Sequence, residues 1–279
     1  MTDWITTRDG VRIAYHQVGA GHPPIVFVHG IYGNRGGSAI QEEYFSPDHR
    51  CVAVDLRGNG DSDKPDEVYT MARHADDVAE LLCHLGLERS VLVGHSMGGQ
   101  VVISVAARHP DLVGAIASID SPSNMPGWQK RFSNSYDHLM TRDGPFREAA
   151  RTFLGAAYLP TDDPSRVAGI SERLAAFPDH VIVRQWWALS SFDPAPVLRR
   201  VKCPYLYIDC GQPYLDFDLL RELCPQVVIG KTVGSGHAAT RDVPDQVNAM
   251  LRRFIEHADA ISAEMIRTGG VFQYTFPSM

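Results

Sequence analysis

Gly94-His95-Ser96-Met97-Gly98-Gly99 sets a serine between two glycines, directly after the apolar run Ser90-Val91-Leu92-Val93 and directly before the apolar stretch from Val101 to Arg108. A G-x-S-x-G match alone is common by chance. A strand before it and a helix after it make it a nucleophile turn. There the serine occupies a tight, strained bend that lifts its hydroxyl above the sheet edge, and side chains at the flanking glycines would collide with neighbouring backbone. A helix N-cap would explain Ser96 but neither glycine. An activated serine needs a base, and the base needs an acid that fixes its tautomer. His237, in Val233-Gly234-Ser235-Gly236-His237, follows the last strand in a glycine-rich loop. That is where the base falls in the chain order Ser, acid, His. His74, His84, His109 and His257 lie on or at the ends of expected helices and read as solvated side chains.

Two aspartates compete for the third role. Asp120 ends the run Ala115-Ile116-Ala117-Ser118-Ile119, a strand that should lie beside the nucleophile strand because it follows the helix after Ser96. Asp216 closes the irregular stretch 209–216 and would have to fold back over the sheet edge. Chain position favours Asp120, which could instead be an N-cap or turn aspartate. His29-Gly30-Ile31-Tyr32-Gly33 follows another strand, so the Ile31 N–H could join that of Met97 to hold an oxyanion. Asp55-Leu56-Arg57-Gly58-Asn59-Gly60-Asp61-Ser62 reads as a structural turn beside the site rather than a ligand loop. No G-x-x-x-x-G-K-[ST] and no G-x-G-x-x-G after a strand occurs, so nucleotide binding is unsupported. No H-E-x-x-H or clustered His/Cys/Asp set suggests a metal.

These residues need a frame. Val11–Tyr15 after the Asp9-Gly10 turn reads as a hairpin strand. Ile25–Val28, Cys51–Val54, Ser90–Val93, Ala115–Ile119, Tyr205–Ile208 and Val227–Ile229 are short apolar runs of the kind that parallel strands buried on both faces require. Helical patterns at 69–85 and 101–108 fall between them, which means βαβ units and a mostly parallel sheet. The alternation breaks between about 121 and 202, where helical windows near 146–157, 164–176 and 179–190 suggest an inserted helical cap. Trp186 and Trp187 lie in the last window; adjacent helical residues diverge by about 100°, so at most one should face the site. With Tyr32, they are the candidate substrate contacts. A last amphipathic helix is expected from roughly Val243 to His257. The expected organisation is thus a core of 1–121 and 203–257, a cap of 122–202 and an aromatic C-terminal tail, 258–279, that could dock on a second copy of the chain.

Composition bounds the rest. A chain of 279 residues with 44% hydrophobic content accommodates one large α/β domain. Its net charge of −7 argues against a nucleic-acid backbone or an anionic membrane as the main partner, and leaves a small-molecule substrate. No apolar run approaches the ~20 residues of a membrane helix. The N-terminal residues carry no signal series, and the five cysteines form no C-x-x-C pair. They read as reduced, apolar fillers in a cytoplasmic protein.

The set His29-Gly30, Asp55-x-Arg57-Gly58-x-Gly60-x-Ser62, Gly94-His95-Ser96-Met97-Gly98-Gly99, Ile119-Asp120-Ser121-Pro122 and Gly236-His237 resembles the α/β-hydrolase superfamily, over residues 5–257. The resemblance implies an α/β fold with an eight-stranded, mostly parallel sheet, helices on both faces and a helical cap after the sixth strand. It is specific for the superfamily and not for a substrate. The departure is the acid: many members carry it just after the seventh strand, whereas that turn here reads Asp209-Cys210-Gly211-Gln212-Pro213-Tyr214-Leu215-Asp216. Asp120 is the position used by some haloalkane dehalogenases and by cofactor-free dioxygenases of the fold. The expected activity is cofactor-independent hydrolysis of a small, largely apolar ester or lactone through Ser96, His237 and Asp120. Hydrolytic C–C cleavage of a diketone would use the same set. Serine at position 96 disfavours dehalogenase and epoxide-hydrolase chemistry, both of which need an aspartate there. A peroxidase-like enzyme, with Met97 as its pointer, or a ligand-binding receptor-like protein would also be compatible with the resemblance. A cofactor-free oxygenase is disfavoured because no second histidine follows the turn at Ile31.

Overall fold

A computed structural model describes residues 1–123, 137–141, 143–160, 162–211 and 215–269. Eight strands form one sheet in the order β1-β2-β4-β3-β5-β6-β7-β8. They are β1 (Asp3–Thr6), β2 (Arg12–Val18), β3 (Ile25–Val28), β4 (Cys51–Val54), β5 (Ser90–His95), β6 (Val113–Ile119), β7 (Tyr205–Asp209) and β8 (Val227–Lys231). The hairpin pairs Ile5 with Ile13, β2 runs antiparallel to β4, and every other neighbouring pair is parallel.

The wholly apolar strands follow from burial on both faces. Their alternating residues divide between two cores. On one side Val26, Val28, Val52, Val54, Leu92 and Ile116 pack with α2 (Met71–His84) and α3 (Met97–Arg108). On the other, Phe27, Ala53, Val93, Ala117 and Ile208 pack with α1 (Ala39–Phe45) and the C-terminal helix. β6 lies directly beside β5, with Val93 opposite Ala117 and His95 opposite Ile119. Hence the C-terminal ends of these two strands bring Ser96 and Asp120 to the same edge of the sheet.

Between β6 and β7 the described residues form α4 (Phe146–Gly155), α5 (Pro164–Ala168), α6 (Ile170–Ala175), α7 (Asp179–Ser190) and α8 (Ala195–Leu198). After β7 come α9 (Phe217–Leu223), α10 (Ala239–Asp242) and α11 (Pro244–Thr268). The expected last helix stops at His257, but α11 runs eleven residues further, past a single non-helical residue at His257. Ala258, Ala260, Ala263 and Glu264 are strong helix formers, and the stop signal is Gly269, in the left-handed region at φ 66°. The aromatic run 271–276 lies outside the described residues. Among the described residues no helix is long and apolar enough to cross a membrane.

All five cysteines are free thiols. Cys83 is exposed, so it is no core filler. His74 also departs from expectation, because it is fully buried rather than solvated. It follows Met71 by three residues and precedes Val78 by four, which puts it inside the apolar stripe of α2.

Candidate active site

Ser96 joins β5 to α3 with φ 53° and ψ −123°, a conformation that costs a non-glycine residue about 1–3 kcal/mol. Two contacts enforce the bend. A Cβ on Gly94 would overlap the Gly98 carbonyl, and one on Gly98 would overlap the Val28 carbonyl of the neighbouring strand. The Ser96 N–H donates to the Ile119 carbonyl at 2.9 Å, which pins the turn to β6. Asp120 and Tyr32 also have positive φ, 44° and 52°. Three of the four non-glycine residues with positive φ among the described residues therefore gather at one edge of the sheet, where packing holds the strain.

His237 Nδ1 lies 2.6 Å from Asp120 Oδ2. Burial would raise the Asp120 pKa, but the hydrogen bond from His237, the electrostatic influence of the His237 and His95 imidazoles, and the Cys210 N–H outweigh it and hold the carboxyl below its ordinary value. Asp216, the competing acid, is exposed and caps α9, with its Oδ1 accepting the Leu219 N–H at 2.9 Å. It is a helix cap.

His95, the variable residue of the turn, has a role that motif reading missed. Its Nε2–H donates to the His237 carbonyl at 2.7 Å, and the two rings are 4.6 Å apart. Burial and the neighbouring His237 push its pKa down to about 3. A neutral His95 thus fixes the backbone of the loop that carries His237. The inserted helices hold the same loop from the other side. The His237 N–H donates to the Ala157 carbonyl at 3.2 Å, and the Gly236 N–H donates to Asp162 Oδ1 at 3.2 Å.

Met97 opens α3, where a first-turn N–H precedes the helix's internal hydrogen bonds. Ile31 lies on the cavity wall, and its N–H meets no acceptor among the described residues. His29 steadies that turn, with Nδ1–H donating to the Gly30 carbonyl at 2.7 Å and Nε2 accepting the Leu56 N–H at 3.1 Å. The turn 55–62 is structural, as expected. Asp55 accepts the N–H groups of Arg35 and Asp61, and the fully buried Arg57 forms a two-pronged pair with Asp77, both contacts at 2.6 Å.

A cavity of about 590 Å³ contains Ser96, Asp120 and His237 in its wall. Phe153, Leu154 and Leu189 face them from the inserted helices, and Arg166, Arg173 and Arg241 share the wall. The three aromatic candidates do not line it. Tyr32 is fully buried, with its hydroxyl donating to the Ile182 carbonyl at 2.8 Å and its N–H to Gln185 Oε1 at 3.3 Å; it anchors α7 to the core. Trp186 is buried, packs edge-on against Phe153 at 5.1 Å and donates from Nε1 to Asp137 at 2.9 Å. Trp187 is turned outward and 40% exposed. The 100° step between them sends one ring into the packing and the other to the surface.

The sequence model of the alpha/beta hydrolase fold family matches residues 23–151. The Bacillus subtilis AB hydrolase superfamily protein YisY is 27% identical over 280 residues, covering 91% of this chain and 99% of YisY. A solved structure described as an N-acyl homoserine lactone degrading enzyme is 26% identical with a TM-score of 0.80, covering 89% of this chain and 99% of that one. A thermophilic esterase from Thermogutta terrifontis has the same fold, at 23% identity and a TM-score of 0.78, with 92% and 98% covered. The chain has the α/β-hydrolase fold and is a hydrolase of that fold.

Proposed function

We propose that the protein is a cofactor-independent serine hydrolase of a carboxylic ester or lactone. Ser96 is the nucleophile, His237 the base and Asp120 the acid that orients it. The observation that carries this reading is the 2.6 Å contact between His237 Nδ1 and Asp120, in one cavity with a serine on a strained, glycine-flanked turn. With Nδ1–H given to Asp120, Nε2 is left as an acceptor. It takes the Ser96 proton as Oγ attacks the carbonyl carbon. The Ile31 and Met97 N–H groups hold the oxyanion. Collapse expels the alcohol, which receives the proton from His237 and leaves an acyl-serine. Water, deprotonated by the same nitrogen, then releases the acid. For a lactone the alcohol stays tethered to the released acid.

Support comes from a relative on each side of this chemistry, one described as an esterase and one as a lactone-degrading enzyme. The test is turnover of a panel of p-nitrophenyl esters and lactones by wild type and Ser96→Ala. Loss of a triad serine should lower kcat by about 10⁶-fold. Undiminished turnover by Ser96→Ala would end this reading.

A further inference from the structure

Besides the serine, the base and the acid, the cavity wall carries charge that ester hydrolysis does not need. Ser165, Arg166, Gly169 and Arg173 all line the cavity. Only Gly169 separates α5 from α6, and its φ of −75° and ψ of −5° continue the helical turn. Positions 165, 169 and 173 recur every four residues and so share one face, and Arg166 and Arg173 are two turns apart on it. Arg241 reaches the wall from α10, four residues after His237.

These guanidiniums are unequally matched. Arg166 Nη2 pairs with Asp242 at 2.6 Å, and its Nε is 4.0 Å from Asp163. Its Nη1 is shielded from solvent and has no hydrogen-bond partner among the described residues. Arg173 forms no side-chain hydrogen bond and no ion pair among the described residues, although its Nε is also shielded from solvent. Arg241 is exposed. Asp120, the only acidic residue lining the cavity among the described residues, is already taken by His237. Shielding a guanidinium N–H from water without an acceptor costs stability. A bound carboxylate offers two oxygens in the geometry that an arginine fork matches. Arg166 is already half-neutralised by Asp242 and Arg241 is open to solvent, so the unpaired charge shielded in the wall is that of Arg173, which suits a monoanion better than a phosphate dianion. Phe153, Leu154 and Leu189 supply apolar wall beside it.

We propose that the cavity selects a substrate with an apolar body and a carboxylate end, bound by Arg173 with Arg166 and Arg241, such as a monoester of a dicarboxylic acid. The reaction on that substrate rests on the serine-hydrolase reading; the binding does not.

The experiment therefore measures binding without turnover. Ser96→Ala is titrated calorimetrically with the monomethyl esters of succinic to suberic acid, with the corresponding dimethyl esters, and with hexyl phosphate. At the best chain length the monoacid should bind about 10- to 100-fold tighter than its diester, the range for a hydrogen bond to a charged group. Adding Arg173→Gln should lower that preference at least about 10-fold, and Arg173→Lys should retain part of it. In wild type, the monoacid should protect Ser96 from a fluorophosphonate better than the diester does, a comparison that needs no arginine variant to fold. Equal affinity of monoacid and diester, an undiminished preference in Arg173→Gln, or no monoacid binding at any length would overturn the proposal. Tighter binding of hexyl phosphate than of every monoacid would replace carboxylate by phosphate. Turnover of neutral esters without acid preference would sink the carboxylate site alone. Acid preference in binding, with no ester turned over by wild type, would sink the hydrolase reading alone.

Discussion

His74 offers a direct check on the buried electrostatics. It is fully buried on α2, neither ring nitrogen has a partner among the described residues, and burial, with Arg57 and His29 nearby, pushes its pKa from 6.5 down to about 3. The unfolded chain therefore binds a proton below pH 6.5 that the folded chain refuses until about pH 3. Stability contributed by this group is complete above pH 6.5 and is lost as pH falls toward 3. Each pKa unit is worth about 1.4 kcal/mol, so moving from pH 7 to pH 5 costs about 2 kcal/mol for His74. His95, lowered to the same extent, adds a similar loss. Together they remove about 4 kcal/mol, against a typical total of about 5–15. His74→Leu, close in volume and unable to titrate, should lose about 2 kcal/mol less than wild type over that interval. Urea unfolding followed by tryptophan fluorescence at both pH values gives the two drops, and comparing them cancels any constant packing cost. Equal drops in wild type and variant would refute the burial argument.

Asp120→Asn should preserve the melting temperature within a few degrees yet lower ester kcat by about 10⁴-fold, because the amide favours the wrong histidine tautomer. Asp216→Asn should leave both unchanged, since asparagine caps a helix about as well as aspartate. Trp186→Ala should cost about 3–5 kcal/mol by opening a hole against Phe153. Trp187→Ala should leave stability within about 0.5 kcal/mol of wild type and the substrate profile unaltered; unfolding curves and the ester panel check both.

The strained turn at Ser96 was legible because steric constraint leaves residue-level marks. Gly94 and Gly98 are glycines where another carbonyl approaches, and those positions flank Ser96 in any reading of the chain. The adjacency of β5 and β6 likewise followed from chain connectivity, and it brought Asp120 to the edge that carries Ser96. Side-chain direction was harder. Tyr32 stands beside the cavity residue Ile31, but its left-handed backbone turns the ring toward α7, and no pattern in five residues reveals that. His74 could have been found from its place in the stripe of α2, had its residue type not suggested solvent. The arginines of α5 and α6 were hidden for another reason. A net charge of −7 averages over the whole surface, whereas Arg166 and Arg173 face one cavity.

The covalent bond proposed to form at Ser96 during turnover is read from the intact mass of the protein after reaction with a fluorophosphonate, followed by peptide mapping. The expected result is a single adduct on the peptide carrying Ser96, lost in Ser96→Ala and formed far more slowly in Asp120→Asn. An adduct on another residue, or none on wild type that still hydrolyses esters, would contradict it.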